Sequence, residues 1–201
     1  MNILEPLRAN LVLSGAGANY MTGLVGNVSI PTYSGANVGW AGEIEAAKDG
    51  SGTFSEVVLE PKRITAYIDV SKQFLIQDSV SAEALIRADI VNAISHKLEE
   101  TILGNEAGNN KQPEGIFYQA SALDEVSFDA MVDMVKDLEE ANVSGDFKYI
   151  VSPSAKAKLK TTKKDAGSGL YVMENGEIDG IPVLCTSACK GVVLGKFDDY
   201  V

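Results

Sequence analysis

The sequence predicts an α+β protein, and three successive patterns carry that prediction. Residues 81–104 have the apolar spacing of one long helix. Residues 43–70, which precede it, alternate between apolar and polar side chains as a β-hairpin does. Residues 127–196, which follow it, alternate strand patterns with helix patterns. We therefore expect a long helix with a hairpin before it in the chain and a small α/β layer after it.

The composition excludes several classes of protein. The chain has 201 residues, 45% of them apolar, which is enough for one large core or two small ones. Its net charge of −11 argues against binding of the nucleic-acid backbone, which needs a basic surface. No apolar run approaches the ~20 residues of a transmembrane helix, and Glu5 and Pro6 interrupt the place of a signal peptide. We expect a protein assembled in the cytoplasm, without a membrane partner.

Residues 1 to about 40 show no sustained period of either kind and are rich in small residues. We interpret them as an extended arm that packs against other parts of the protein or against another chain. Gly26–Pro31 has the composition of a short strand, and Trp40, the only tryptophan, is expected to anchor the end of the arm.

The hairpin is predicted to pair two strands that are close in sequence. Thr53–Leu59 has strand composition, and apolar residues at every second position from Ile64 to Val70 indicate a strand with one apolar face. The segment Glu45–Gly52 is small, polar and glycine-containing, which is typical of a mobile loop tip. A hairpin with such a tip tends to project from the body of a protein, with edges that another chain can cover.

The long helix has signals at both ends. Ser81 is a suitable N-cap, Glu83 complements the helix dipole, and Gly104 is a stop signal. The predicted apolar stripe consists of Val91, Ile94, Leu98 and Ile102. The opposite, polar side is predicted to carry Asp89, Asn92, His96, Glu99 and Glu100.

The C-terminal layer begins with a helix at Ser127–Ala141, for which Ser127 is the predicted N-cap. A strand at Asp146–Ser152 leads to a short basic helix that Pro153 opens. Two further strands are predicted at Ile181–Thr186 and Val192–Lys196.

The candidates for chemistry have simpler structural readings. His96, the only histidine, lies on the polar side of a helix, where a solvated residue is the ordinary case. Cys185 and Cys189 lack the second pair that a zinc site needs and any nearby nucleophile motif. The glycines of 15–17 and 104–108 do not complete a nucleotide-binding loop. We predict no catalytic, cofactor-binding or metal-binding residues.

The charged clusters are interpreted as surface features. The neighbours Glu99 and Glu100, like Asp198 and Asp199, point to different sides of their elements and cannot act as an acid/base pair. One basic cluster stands out, for which a solvated face is the simpler reading and a contact with an acidic protein surface stays open. It comprises Lys156, Lys158, Lys160, Lys163 and Lys164.

Five motifs, in the same order along the chain, resemble the major capsid proteins of tailed bacteriophages with the HK97-type fold. They are Gly39–Glu43, Thr53–Arg63, Val70–Ser79, Leu85–Ile90 and Gln112–Ile116. The resemblance covers essentially the whole chain, with no single decisive motif.

The resemblance implies an HK97-like capsid fold with four parts. These are an N-terminal arm (1–42), an extended E-loop hairpin (43–72), part of the P-domain with its spine helix (73–118) and an incomplete A-domain (119–201). It also implies a structural, non-enzymatic shell protein of phage or prophage, which forms the pentamers and hexamers of an icosahedral head around double-stranded DNA without reading its sequence. Location in the virion, assembly in the bacterial host cytoplasm, and scaffold, protease, portal and decoration partners follow from the same resemblance.

Two departures from the family pattern carry expectations. The family continues with further strands where this chain stops, so we expect the apolar stripe of the long helix to be less buried than its spacing suggests. Some relatives crosslink through an E-loop lysine, and Lys48 lies in the loop tip, but no asparagine partner is identified. Two alternatives stay open: an encapsulin-like compartment shell, and a small enzyme using Cys185 or His96.

Overall fold

The computed structural model describes residues 11–21, 23, 25–69, 81–120, 125–165, 167 and 169–199. The chain divides into two units: the hairpin unit, Met21–Lys62, and the body, which comprises the rest of the described residues. The motif Val70–Ser79, the first ten residues and the side chain of Ser81 lie outside the described part. Among the described helices, none combines the length and the apolar character that crossing a bilayer would require.

The hairpin unit contains two antiparallel strands, β1 (Val28–Tyr33) and β2 (Phe54–Leu59). Their register runs from Val28 opposite Leu59 to Tyr33 opposite Phe54, and those two rings lie 4.6 Å apart. Hydroxyl groups also meet across the pair, with 2.7 Å between Thr32 Oγ1 and Ser55 Oγ. Among its described residues this unit has no buried side chain.

This pairing corrects the predicted hairpin. Thr53–Leu59 does contain a strand, but its partner is residues 28–33 and not the alternating residues from Ile64 onward. Residues 61–69 form no regular strand. The physical reason is that strand pairing depends on contacts between opposite side chains, which alternation within one segment does not reveal.

The body is built around a four-stranded sheet with helices on both faces. Its strands are β3 (Lys148–Val151), β4 (Glu177–Ile178), β5 (Ile181–Cys185) and β6 (Val192–Gly195), in the spatial order β4-β5-β3-β6. β3 and β5 are parallel, whereas β6 pairs antiparallel with β3 and β4 pairs antiparallel with β5. The predicted strands 181–186 and 192–196 are confirmed within one residue at each end.

Alternation along the strands divides the apolar core into two clusters. Tyr149, Val151 and Val183 pack on one face of the sheet, against the helices α3 (Phe128–Glu140) and α4 (Pro153–Thr161). Ile150 and Leu184 pack on the other face, with α1 (Val12–Ala16) and the end of α2 (Ser81–Ile102). Successive strand residues point to opposite faces, so three layers result.

The helix ends follow the predicted capping. Ser127 Oγ accepts from the Ala130 N–H at 3.2 Å, and Ser152 Oγ accepts from the Ala155 N–H at 3.2 Å. Pro153 occupies the start of α4, where its missing N–H is not needed. Local sequence therefore decides where α3 and α4 begin.

The long helix α2 is present, but its buried side differs from the predicted one. Its most buried residues are Ser95, Glu99 and Leu103, each exposing 6% or less of its surface. The predicted stripe of Val91, Ile94, Leu98 and Ile102 is only half-buried at all four positions, which confirms the expectation of incomplete cover. Glu99, predicted on the polar side, is a correction, and the segments packed there explain it.

The first described residues also differ from the prediction of an extended arm. Residues 12–16 form the helix α1, and Leu13 and Ala16 are almost fully buried in the body. The residues have no helical periodicity long enough to be recognised. The helix forms because packing against α2 and the sheet stabilises a single turn and a half that would not persist alone.

α2 ends where its backbone meets a second glycine. The Phe117 N–H donates to the Gly104 carbonyl at 3.0 Å, and a Cβ on Gly115 would lie 2.2 Å from that same oxygen. The turn 112–116 therefore closes directly over the helix end. Glycine is required there because the two backbones touch.

Candidate functional site

A buried carboxylate holds the N-terminal end of α1. Glu99 Oε1 accepts a hydrogen bond from the Val12 backbone N–H, and Glu99 Oε2 accepts from the Thr186 hydroxyl at 3.1 Å. The Thr186 hydroxyl in turn accepts from the Ala188 N–H at 3.3 Å. One side chain of α2 thereby joins the start of the described chain to the segment that follows β5.

A cation holds the opposite end of α1. Lys148 Nζ donates to the carbonyls of Ala16 at 2.9 Å and Gly15 at 3.3 Å. A carboxylate at a helix N-terminus and an ammonium group at its C-terminus both complement the helix dipole. We call Glu99 and Lys148 together the α1 clamp.

The residue after α1 adapts to a close neighbour. Gly17 has a φ of 108°, which favours glycine, and a Cβ at this position would lie 2.2 Å from Asp198 Oδ1. The Asn19 side chain also donates to the Asp198 carbonyl. Asp198, predicted to be only a surface charge, remains exposed but packs on this turn.

The residues considered for catalysis are not assembled into a reactive group. His96 is exposed on α2, and Cys185 is half-buried in β5. The buried Cys189 thiol donates to the carbonyls of Gly191 at 3.4 Å and Ile150 at 3.7 Å. Burial raises the pKa of Cys189, which suppresses the reactive thiolate. Among the described residues, no group of three potential metal ligands comes together.

A groove of about 420 Å³ lies beside α3, over the sheet edge. Its walls include Val132, Val135 and Ile181, with Tyr149 at its base. The Tyr149 hydroxyl donates to the Met131 carbonyl at 3.0 Å, so it is committed to the fold. Burial, together with the Asp179 charge, raises the pKa of Tyr149 to about 12. A neutral phenol with this partner is a structural group.

Two charged surfaces of opposite sign lie on the outer sides of α3 and α4. The acidic stripe consists of Asp129, Asp133 and Asp137, which are exposed and spaced four residues apart on α3. The basic patch includes both helical and flanking residues, three of them exposed and the first half-buried: Lys156, Lys158, Lys160 and Lys163. The fifth lysine of the cluster, Lys164, lies 3.3 Å from Asp179 Oδ1 and 4.0 Å from the centre of the Phe128 ring.

Large apolar side chains are fully exposed between the two strands of the hairpin unit. Val38, Trp40 and Ile44 each expose more than nine-tenths of their surface. Trp40 therefore does not anchor its segment within this chain, contrary to the sequence-based expectation. The Lys48 side chain lies against Gly39 in the same loop, where a Cβ would be 2.8 Å from Lys48 Cδ.

Sequence reasoning missed the α1 clamp. A single carboxylate beside another, as in Glu99 and Glu100, carries no signal that separates the buried member from the exposed one. The available hint was that Glu99 and Leu103 share one side of α2, since positions four apart lie on the same face.

Comparison with known proteins agrees with this geometry. The major capsid protein of Halomonas phage phiHAP-1 is 29% identical over 190 residues, which cover 91% of this chain but only 31% of that protein. The chain thus spans about a third of the length of that curated relative.

Solved structures resemble the fold at low sequence identity. The capsid of a native GTA particle has a TM-score of 0.70 and 13% identity, covering 90% of this chain and 72% of its own. A structure described as Gordonia phage Cozz has a TM-score of 0.60 and 10% identity, covering 93% of this chain and 68% of its own. The architecture is therefore an α+β capsid fold, as the sequence predicted.

The family model described as the phage capsid family matches residues 1–201, the entire length. The motifs, the layered body, the exposed hairpin unit and the structural likenesses all agree with that match, and the chain belongs to the phage capsid family.

Proposed function

We propose that this chain is a structural subunit of a phage head, which associates with copies of itself to form a shell around double-stranded DNA. The observation that carries the proposal is the match to the phage capsid family over all 201 residues. The body contributes a rigid three-layered unit, and the described residues assemble no catalytic group. Its work is to present complementary surfaces to its own copies.

The hairpin unit supplies the strongest physical support. Exposure of Val38, Trp40 and Ile44 leaves apolar surface in water, and contiguous apolar surface of this kind marks protein contacts. Both strands also have free edges beyond their single pairing. Burial of tryptophan in a neighbouring copy would contribute strongly, because aromatic residues dominate the centres of interfaces.

The four parts of the family fold have counterparts here. We assign the hairpin unit, 21–62, to the extended E-loop, α2 to the spine of the P-domain, and the sheet with α3 and α4 to the A-domain. The E-loop in this proposal uses β1, which the prediction had placed in the N-terminal arm. Pentamers and hexamers, and contacts with scaffold, protease, portal and decoration proteins in the host cytoplasm, belong to the same proposal.

Replacement of Trp40 by alanine tests the role of the hairpin. Sedimentation velocity of the wild-type chain should show association that increases with concentration, and Trp40→Ala should reduce it. Trp40→Phe, which keeps an aromatic ring, should retain most of it. Circular dichroism should be the same for all three, because Trp40 makes no buried contact in one copy. Failure of the wild-type chain to associate at any concentration would overturn the proposal.

A further inference from the structure

We propose that the basic patch on α4 of one copy binds the acidic stripe on α3 of the next copy. This inference rests on the proposed function, because it specifies one contact through which copies of the chain associate. It names a second copy of this chain as the partner, and lysine–carboxylate pairs as the chemistry.

Both surfaces lack a partner within one copy. Five of the 17 basic residues lie between positions 156 and 164, and no acidic residue interrupts them. Of these, Lys164 is paired with Asp179, but the four residues of the basic patch form no ion pair with any described residue. The three aspartates of the acidic stripe likewise form none within the described part of the chain.

Each surface repels itself as long as it stays unpaired. Lys156 and Lys160 are four residues apart on α4, as are Asp133 and Asp137 on α3. Like charges at this spacing are neighbours on a helix and destabilise it. Pairing with the opposite sign relieves both repulsions at once.

The two surfaces also match in spacing. Four residues of helix advance by about 6 Å, so the two lysines and the two aspartates are separated by the same distance along their axes. Two helices laid side by side can therefore form two lysine–aspartate pairs in one register. Each charge pair is placed by an element of the rigid body and not by a loop.

Overall charge favours this patch as the point of attraction between copies. A chain of net charge −11 repels its copies over most of its surface, so a concentrated basic area selects where they approach. α3 and α4 pack on the same face of the sheet but present different surfaces. The contact is thus heterologous, the kind that closes into rings or continues as open chains.

Charge reversal on each side tests the contact. The variant K156E/K160E makes the patch acidic, and D133K/D137K makes the stripe basic. We expect each variant alone to associate at least about tenfold more weakly than wild type, because like charges then face each other. An equimolar mixture of the two should recover association, since every reversed surface meets a reversed partner.

The controls separate this contact from folding and from net charge. K111E/K190E changes the charge as much as K156E/K160E does, at exposed positions outside the patch, and should associate as wild type does apart from a small general effect. Thermal unfolding of each variant should match wild type. Recovery in the mixture cannot arise from two misfolded chains.

Zero-length carbodiimide crosslinking reports the contact when association is weak. In a mixture of ¹⁴N- and ¹⁵N-labelled wild-type chains, mixed-isotope peptides should join lysines of 156–163 to aspartates of 129–137. Raising the salt from about 0.05 M to about 1 M, where the screening length falls to about 3 Å, should abolish them.

The outcomes distinguish the two proposals. If wild type associates but the reversed variants do so equally well, or if mixed-isotope crosslinks join only other residues, this contact is wrong and the shell function stands. If wild type neither sediments as an oligomer nor forms mixed-isotope crosslinks, both proposals are overturned.

Discussion

At the scale of single residues, Glu99 shows how one side chain connects distant parts of the chain. It exposes 6% of its surface, and its two oxygens accept from Val12 and Thr186. A buried carboxylate is tolerated only where hydrogen bonds satisfy it. These two donors lie 87 residues away on either side in the sequence.

Glu99→Ala should lower the free energy of unfolding by about 3 kcal/mol, because hydrogen bonds to charged groups contribute about 1.5 to 3 kcal/mol and two buried donors lose their acceptor. Urea unfolding measures the change. The neighbouring Glu100→Ala is the control, since Glu100 pairs with Lys97 at the exposed surface and its loss should have little effect. Equal effects of the two substitutions would contradict a special role for Glu99.

Tyr149 predicts a loss of stability in alkaline solution. Its pKa is raised by burial to about 12, whereas an unfolded tyrosine titrates near 10. Below pH ~10 both states keep the proton and stability is unaffected; from there to ~12 only the unfolded chain loses it, so stability falls. Urea midpoints across this range should fall less in Tyr149→Phe. Tyr67→Phe, at an exposed position, should leave the fall unchanged.

At the scale of elements, α1 is a short helix that depends on its surroundings. It has five residues, far fewer than an isolated helix needs to be stable in water. Leu13 and Ala16 attach it to the core, and the α1 clamp holds both of its ends. Packing and charge therefore replace intrinsic helix propensity in this element.

Leu13→Ala should destabilise the body by about 2 to 5 kcal/mol, the range for removing a buried leucine side chain. Hydrogen exchange at residues 12–16 should accelerate more than exchange in β3. Leu85→Ala is a matched control on α2, where the leucine is 70% exposed. If exchange in α1 were unchanged by Leu13→Ala, its attachment through the core would be disproved.

The hairpin and α2 show a second property of elements. Sequence alternation found β2 but not its partner, and apolar periodicity found α2 but not its most buried side. In both cases the element was correct and its neighbour was not. An element's own period depends on residues a few positions apart, whereas its partner depends on the whole chain.

At the scale of the whole molecule, the two units differ in how they are stabilised. The body has two buried clusters, while the described residues of the hairpin unit contain no buried side chain. Such a unit gains little from the hydrophobic effect in one copy. Contacts with another copy are the natural source of its missing stabilisation.

Limited trypsin digestion should therefore cut after Lys48 before it cuts after Lys136 or Lys148. Lys48 lies in the irregular segment between β1 and β2, and segments without buried contacts open most easily. Mass spectrometry of early fragments identifies the order of cleavage. Under conditions of association, cleavage after Lys48 should slow; earlier cleavage at Lys136 would contradict the assignment of the body as the stable unit.

The sequence alone determined the α+β class, the capped starts of α3 and α4, the strands β3, β5 and β6, and the family resemblance. These depend on local signals such as Ser127, Ser152 and Pro153, whose effects extend only a few residues. Tertiary structure alone decided that β1 pairs with β2, that residues 12–16 form a helix, and that Glu99 is buried while Glu100 is not. Those outcomes depend on contacts between residues tens of positions apart, where hydrogen-bond partners and packing outweigh local preference.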